Sequence, residues 1–321
     1  MKQLVIIAFA VVFAVLGLGL VSVYAAPVQR AGELVRDTGP EGLSGIVRKA
    51  GDLYWTVDDE TAELDLVRIP LDPATGAPQS WTIVEKHTVA GAEDLEAVAV
   101  DPLNGRVWVA DEKTSRILEY DPQEKKTLSR LDVTPQLGSD AKNGGIESLA
   151  ISSDGLTLWT CLQKPRAKDG AFVRLARYSR KADGAGWAPS GVWALPASVD
   201  RKLGKAKVQS SISDLAVLPD GKLAVLELVK TKVKKNRSAR TRVSVIDLAG
   251  AEDVSKIDSL AVETVKPVKV TPCFEGETGL AFYEGIASGP ALTDGSSTLL
   301  LVSDAEKGGD RKVLALRIRA N

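Results

Sequence analysis

The sequence predicts an all-β protein, a β-propeller of five blades with three to four antiparallel strands in each, and a count of six stays open. Three observations point there. After residue 27 no long stretch keeps the 3.6-residue period of a helix. Short β-branched and aromatic runs alternate instead with turn clusters such as Asn104-Gly105, Asp154-Gly155 and Asp220-Gly221. One pair of such runs recurs five times along the chain.

The recurrence orders the elements. Residues 42–47 (GLSGIV) precede 53–59 (LYWTVDD), and 94–100 (DLEAVAV) precede 107–112 (VWVADE). Then come 145–151 (GIESLAI) with 156–163 (LTLWTCLQ), 212–217 (ISDLAV) with 223–227 (LAVLE), and 282–287 (FYEGIA) with 299–304 (LLLVSD). Aligning Ser44, Glu96, Glu147, Asp214 and Glu284 gives separations of 52, 51, 67 and 70 residues, a repeat length suited to blades. Third strands are expected at 115–120, 173–178, 243–248 and 313–318, and fourth strands at 192–195 and 268–272. Residues 33–38 are expected to complete the last blade, because an open seam between first and last blades would expose unpaired backbone.

Ahead of the repeats, Lys2 and an 18-residue apolar run over 4–21 lead to Val23-Tyr24-Ala25. Residues 1–25 read as a secretory signal, with an uncleaved membrane anchor as the alternative for so long a run. A single propeller domain over 27–321, periplasmic or secreted, follows from this. Cys161 and Cys273 make no disulfide framework and read as two small buried apolar residues.

The balance of 41 Lys+Arg against 42 Asp+Glu leaves no net field for nucleic acid or an anionic membrane. The basic run over 230–242 reads as a solvated hairpin loop. A monomer acting on a small molecule is expected, touching membrane only through an uncleaved N-terminal segment.

In each repeat a polar residue opens the first strand and, in most copies, an acid closes the second. Antiparallel pairing puts both at one edge of the hairpin. Radial packing then gathers Asp58, Asp59, Glu96, Asp111, Glu112, Glu147, Asp214, Glu227, Glu284 and Asp304 at one end of the channel. Like charges at that density resist burial unless cations neutralise them or solvent reaches them. Oxygen-only ligands suit calcium ahead of magnesium or manganese. Acids such as Asp101, Asp121, Asp154 and Asp220 are accounted for as turn formers.

Other chemistries lack residues. His87 is the single histidine, so a two-histidine zinc motif is excluded, and it reads as an ordinary surface residue between strands. No glycine-rich phosphate loop opens a helix. Hydrolysis would therefore be metal-assisted, with a carboxylate as base. Trp55, Trp108 and Trp159 hold matching places in the second strands and read as packing between blades.

With its LSGI opening, DLEAVAVDP…VWVADE, NGGIESLAISSDG, ISDLAVLPDG…LAVLE and YEGIA…LLLVSD in this order, the chain resembles the phytase-like propellers, exported bacterial proteins described by esterase-like activity of phytase. The resemblance spans about residues 42–319. It implies hydrolysis of phosphate or carboxylic esters, with calcium. It matches Asp58, Glu96, Glu112, Glu147, Glu227, Glu284 and Asp304. With Asp214 from the repeats these form the expected metal-ligand set, and Glu96, Glu147 and Glu284 the expected catalytic carboxylates. The chain departs from the pattern at Phe282 (asparagine expected), Leu228 (arginine), Gln163 (an acid) and Ser148 (glycine). Three functions are thus weighed: a metal-dependent ester hydrolase, a non-catalytic ligand- or protein-binding propeller, and a calcium-dependent lactonase-like enzyme.

Overall fold

The computed structural model describes residues 28–36, 38–39, 42–138, 145–182, 186–197, 201–203, 205–233, 236–262, 264–279, 281–305 and 311–319. The expected signal segment, residues 1–25, lies outside them. The strands form five antiparallel sheets arranged as five blades, which settles the blade count.

β1 (Val28–Val35) belongs to the last blade and is taken up below. Blade 1 is β2 (Leu43–Ala50), β3 (Leu53–Asp58), β4 (Glu63–Arg68) and β5 (Thr82–Thr88). Blade 2 is β6 (Leu95–Val100), β7 (Val107–Asp111), β8 (Arg116–Asp121) and β9 (Lys126–Asp132), followed by the short helix α1 (Thr134–Leu137). Blade 3 is β10 (Ala150–Ile151), β11 (Thr157–Cys161), β12 (Phe172–Ser179) and β13 (Ala188–Pro196). Blade 4 is β14 (Arg201–Leu203), β15 (Ala206–Val217), β16 (Leu223–Val233), β17 (Asn236–Asp247) and β18 (Lys269–Gly279). Blade 5 is β19 (Phe282–Ser288), β20 (Ser297–Asp304) and β21 (Lys312–Ile318), completed by β1.

The innermost strands β2, β6, β10, β15 and β19 touch in a closed cycle and surround the channel. A glycine with positive φ turns the first hairpin of every blade: Gly51, Gly105, Gly155, Gly221 and Gly295, at φ 58° to 81°. Glycine enters this left-handed region without steric cost, so it recurs in all five connections although they run from two residues to eight. β1 closes the ring as expected, pairing with β21 from Val28↔Ile318 to Val35↔Lys312. It starts five residues earlier than the 33–38 segment read from sequence.

The core lies mainly between blades. Trp55 packs with Val98 and Leu118 of blade 2, and Trp108 and Trp159 belong to a larger cluster that reaches into blade 4. This is the packing role expected of them. His87 is different from expectation. It is buried on the outermost strand of blade 1, edge-on to Trp55 and Tyr120, with Nδ1 3.2 Å from the Tyr120 hydroxyl. The imidazole fills a gap between Trp55 and Tyr120, with Nε2 3.1 Å from the Glu85 carboxylate, which a polar heptapeptide context did not reveal. Both cysteines are free, Cys161 buried and Cys273 half-buried.

Blade 4 is taller than the rest. Its strands β15–β18 run 11 or 12 residues, against nine or fewer in the other blades. The basic run over 230–242 is therefore not merely a loop: its residues 230–233 and 236–242 belong to the upper part of the β16–β17 ladder, paired from Lys230↔Ala239 to Val233↔Asn236.

Candidate functional site

A β-bulge sets the mouth of the channel. In blade 1, Leu43 faces Asp58 and Gly45 faces Val57, which leaves Ser44 as the extra residue. Glu96 is the extra residue in blade 2 and Glu284 in blade 5. In blade 3 the bridge Ile146↔Leu162 brings Glu147 to the same place. Such bulges re-aim a side chain out of the regular alternation, and they cluster beside functional sites.

Blade 4 departs from the expected alignment. Ile212 faces Glu227 and Asp214 faces Leu226, so its extra residue is Ser213, not Asp214. Asp214 occupies the next position, where the other blades carry Gly45, Ala97, Ser148 and Gly285. The strands are crowded there: a Cβ on Gly285 would lie 2.9 Å from the Gly45 backbone. The buried Asp214 carboxylate accepts the N–H of Leu215 at 2.8 Å and of Ile286 at 2.9 Å, which ties blade 4 to blade 5. Burial pushes its pKa up, and these N–H groups act against that shift.

The second strands follow the same register. Asp58, Asp111, Leu162, Glu227 and Ser303 face the residue before the bulge. One residue further on stand Asp59, Glu112, Gln163, Leu228 and Asp304. The N–H groups of Asp59, Glu112 and Gln163 donate to the carbonyls of Gly42, Asp94 and Gly145 at 3.2, 2.9 and 2.9 Å. The mouth thus carries two five-membered series. Ser44, Glu96, Glu147, Ser213 and Glu284 form one; Asp59, Glu112, Gln163, Leu228 and Asp304 form the other. Blade 4 gives an acid to neither.

Some sequence-expected acids stand apart from these series. Asp58 Oδ1 accepts the backbone and hydroxyl of Thr61, and Asp111 Oδ2 accepts the Thr114 hydroxyl at 2.9 Å. Both shape the turn after the second strand. Glu227 pairs with Arg242 at 3.1 Å and accepts the Ser210 hydroxyl at 3.3 Å.

Glu96, Glu112, Glu147, Glu284, Asp59 and Asp304 are brought together, and Asp94 joins them. Carboxylate oxygens of Asp94, Glu96 and Glu112 lie within 4.8 Å of one another. Glu112 Oε1 accepts the Gly145 N–H at 2.7 Å, and Glu147 Oε1 accepts from the Gln163 amide at 2.7 Å. Burial, then repulsion from Glu284, Asp59, Asp94 and Glu112, pushes the Glu96 pKa well up. Burial followed by Glu96 and Glu284 does the same to Glu147. Asp59 is pushed up to about 7 by burial and by Asp304, Asp58 and Asp94. Its Oδ1 and the Ser44 hydroxyl are buried without a hydrogen-bond partner.

Arginine and lysine side chains meet the mouth at its margin. Arg36, just after β1, donates to the Ser303 carbonyl at 3.1 Å and feels Asp304 and Asp58. Lys230 Nζ lies 3.6 Å from Glu284 Oε1 and 4.4 Å from the Phe282 ring centre. Among the described residues, no lysine or arginine ion pair reaches Glu96, Glu112 or Glu147. Deeper in the channel the walls turn apolar, around a cavity of about 120 Å³ lined by residues such as Val47, Val100, Ile151 and Val217.

Asp94 was missed as a site residue. Its signal was present in the sequence, where a second acid stands two residues ahead of Glu96.

No curated protein sequence matches the chain. Similar solved structures include a streptogramin B lyase, at 11% identity over 91% of this chain and 97% of that one, with a TM-score of 0.39. The PQQ-bound aldose sugar dehydrogenase of Streptomyces coelicolor is 15% identical over 92% and 98%, with a TM-score of 0.45. Hydrazine synthase of Kuenenia stuttgartiensis is 12% identical over 92% and 98%, at 0.40. Likeness at this level carries no argument about activity. The family model for phytase-like proteins, described as esterase-like activity of phytase, matches residues 38–306. With that match over most of the five-bladed ring, the chain belongs to the phytase-like family.

Proposed function

We propose that this chain is an exported ester hydrolase that works with a divalent cation, calcium by its donor chemistry, at the acidic mouth of the propeller. One observation carries the reading: Glu96 and Glu147 are buried among like charges, with no ion pair to offset them among the described residues. Such a cluster is held either by protons or by a bridging cation. The orphaned Ser44 hydroxyl and Asp59 oxygen are consistent with a ligand or hydrated ion at this mouth.

Asp94, Glu96 and Glu112 would hold the cation, with Asp59, Glu147 and Glu284 around it. Bound there, it would polarise a phosphoryl or carbonyl oxygen. Glu147 and Glu284 would then accept the proton of an attacking water. The family description supports an ester as substrate, of phosphate or carboxylic type. Residues 1–25 are proposed as the signal that takes a monomeric domain to the periplasm or beyond.

The test begins with calcium added to chelated protein during thermal melting. A rise in Tm is expected, since the ion binds the folded state alone. No shift at millimolar calcium rejects the cation site. Chromogenic phosphate and carboxylate esters should turn over only without chelator. Turnover that survives both Glu96→Gln and Glu284→Gln removes the mouth as the active site. A binding role without catalysis is favoured by the missing acids of blade 4, and calcium-dependent stabilisation with no ester turned over would support it.

A further inference from the structure

A near-zero net charge hides a separation of charge within the chain. Residues 201–213 and 228–246 hold eleven of the 41 Lys and Arg and no Asp or Glu, while the rest carries 30 against 42. The fold joins these two segments in the tall part of blade 4. β16 runs five residues past Leu228, roughly 17 Å of strand. By contrast β3, β7, β11 and β20 end at Asp58, Asp111, Cys161 and Asp304. Beyond that level β14, β15, β16 and β17 stand together, paired through Leu203↔Ala206, Ala206↔Val233 and Val233↔Asn236.

Register sets cations abreast on this extension. Lys207 lies directly opposite Lys232, and the row continues to Lys202 on β14 and Arg237 on β17. Like charges in directly opposed positions destabilise a sheet unless something of the other sign answers them. Lys205, Lys207 and Lys232 are exposed, and among the described residues neither Lys207 nor Lys232 makes an ion pair. The acids highest on this sheet, Glu275 and Glu277, are held by Arg240, and Glu227 by Arg242. Val233, at the end of β16, leaves 41% of its surface open among these lysines.

We propose that this end of blade 4 docks on a membrane surface of anionic phospholipid headgroups. Lysines supply the attraction to such a surface, and an exposed valine among them enters the headgroup layer. Neither segment contains Phe, Trp or Tyr, so the stacking that holds single-stranded nucleic acid has no residues here. The mouth lies at the same end of the propeller, because β15 runs from the extension straight down to Ser213 at its rim. Docking therefore holds the mouth beside the lipid, whatever is bound or turned over there.

The test uses the full chain in chelator, sedimented with vesicles of phosphatidylcholine alone or of phosphatidylcholine and phosphatidylglycerol in equal parts. Retention through the apolar run over 4–21 is common to both vesicles, so the difference between them reports the charge. Anionic vesicles are expected to retain more chain at low salt and to lose that excess at high salt. Lys207→Gln/Lys232→Gln should cut the excess partitioning roughly tenfold or more. Its Tm should equal or exceed the parent's, because two opposed charges are gone. Lys222→Gln/Lys269→Gln removes the same charge from the opposite end of blade 4, beside Val217↔Leu223 and at Asp247↔Lys269, and should partition like the parent. The proposal is overturned if both vesicles retain the chain equally or if the excess survives high salt. It is equally overturned if the Lys207/Lys232 variant partitions as the parent does, or if the Lys222/Lys269 variant loses as much. Duplex DNA that strips the chain from anionic vesicles at equal phosphate concentration overturns it in favour of a nucleic-acid surface.

Discussion

Glu96 and Asp214 are both buried acids of inner strands, and their surroundings give them opposite work. Glu96 faces other carboxylates, so in chelated protein at pH 8 its charge opposes folding. Glu96→Gln should raise the Tm of that protein by a few degrees, about 1 kcal/mol, and abolish the calcium response. Asp214 faces N–H groups of Leu215 and Ile286. Asp214→Ala should cost about 2–5 kcal/mol, because two buried donors lose their acceptor, and chemical denaturation will show it. From sequence the two looked equivalent. A polar residue near the start of each first strand is legible in one dimension; the bulge that makes Ser213 the true counterpart of Glu96 appears only in the hydrogen-bond ladder. The same one-residue ambiguity hid the split between Asp58, which shapes a turn, and Asp59, which faces the mouth.

Strands and hairpins were the most readable level. Repeated Gly turns and apolar runs located the first two strands of each blade, because period-two burial and left-handed glycine are local properties. Height was not readable. Polar and basic residues over 230–242 suit a loop as well as a ladder standing clear of the core, and pairing partners decide between them. At the crossing of β2 and β19, Gly285→Ala should destabilise by roughly 1–3 kcal/mol, since the new methyl meets Gly45 backbone at 2.9 Å. Urea unfolding of that variant beside Gly51→Ala separates crowding from turn strain. Gly51 has nothing within 4 Å of such a methyl, and its φ of 58° alone opposes the change.

For the molecule as a whole, protonation and cation binding compete for one set of oxygens. The Asp59 pKa is about 7 in the folded state against an ordinary value of 3.8. Between those values the folded chain holds more protons than the unfolded one, so stability falls as pH rises from about 4 to about 7. Glu96 and Glu147 are shifted in the same direction and add to the decline. In chelator, Tm should therefore drop between pH 5 and pH 8. With calcium the drop should shrink, and calcium addition to weakly buffered protein at pH 7 should release protons. A flat Tm in chelator over that range contradicts the buried-acid account.

Val28 pairs with Ile318, so the last blade needs both ends of the chain at once. Every other blade is built from residues close in sequence and can form as soon as its own segment is available. The ring is different: its final pairing closes a loop of 290 residues, and that entropy must be met before the new contacts return anything. A chain emerging N-terminus first carries β1 as an unpaired ribbon until the final strand arrives. Through that interval β1 has no partner, and edge-to-edge association between unfinished molecules competes with closure. Refolding yield should accordingly fall as protein concentration rises, and a chain lacking residues 28–35 should show that loss at every concentration.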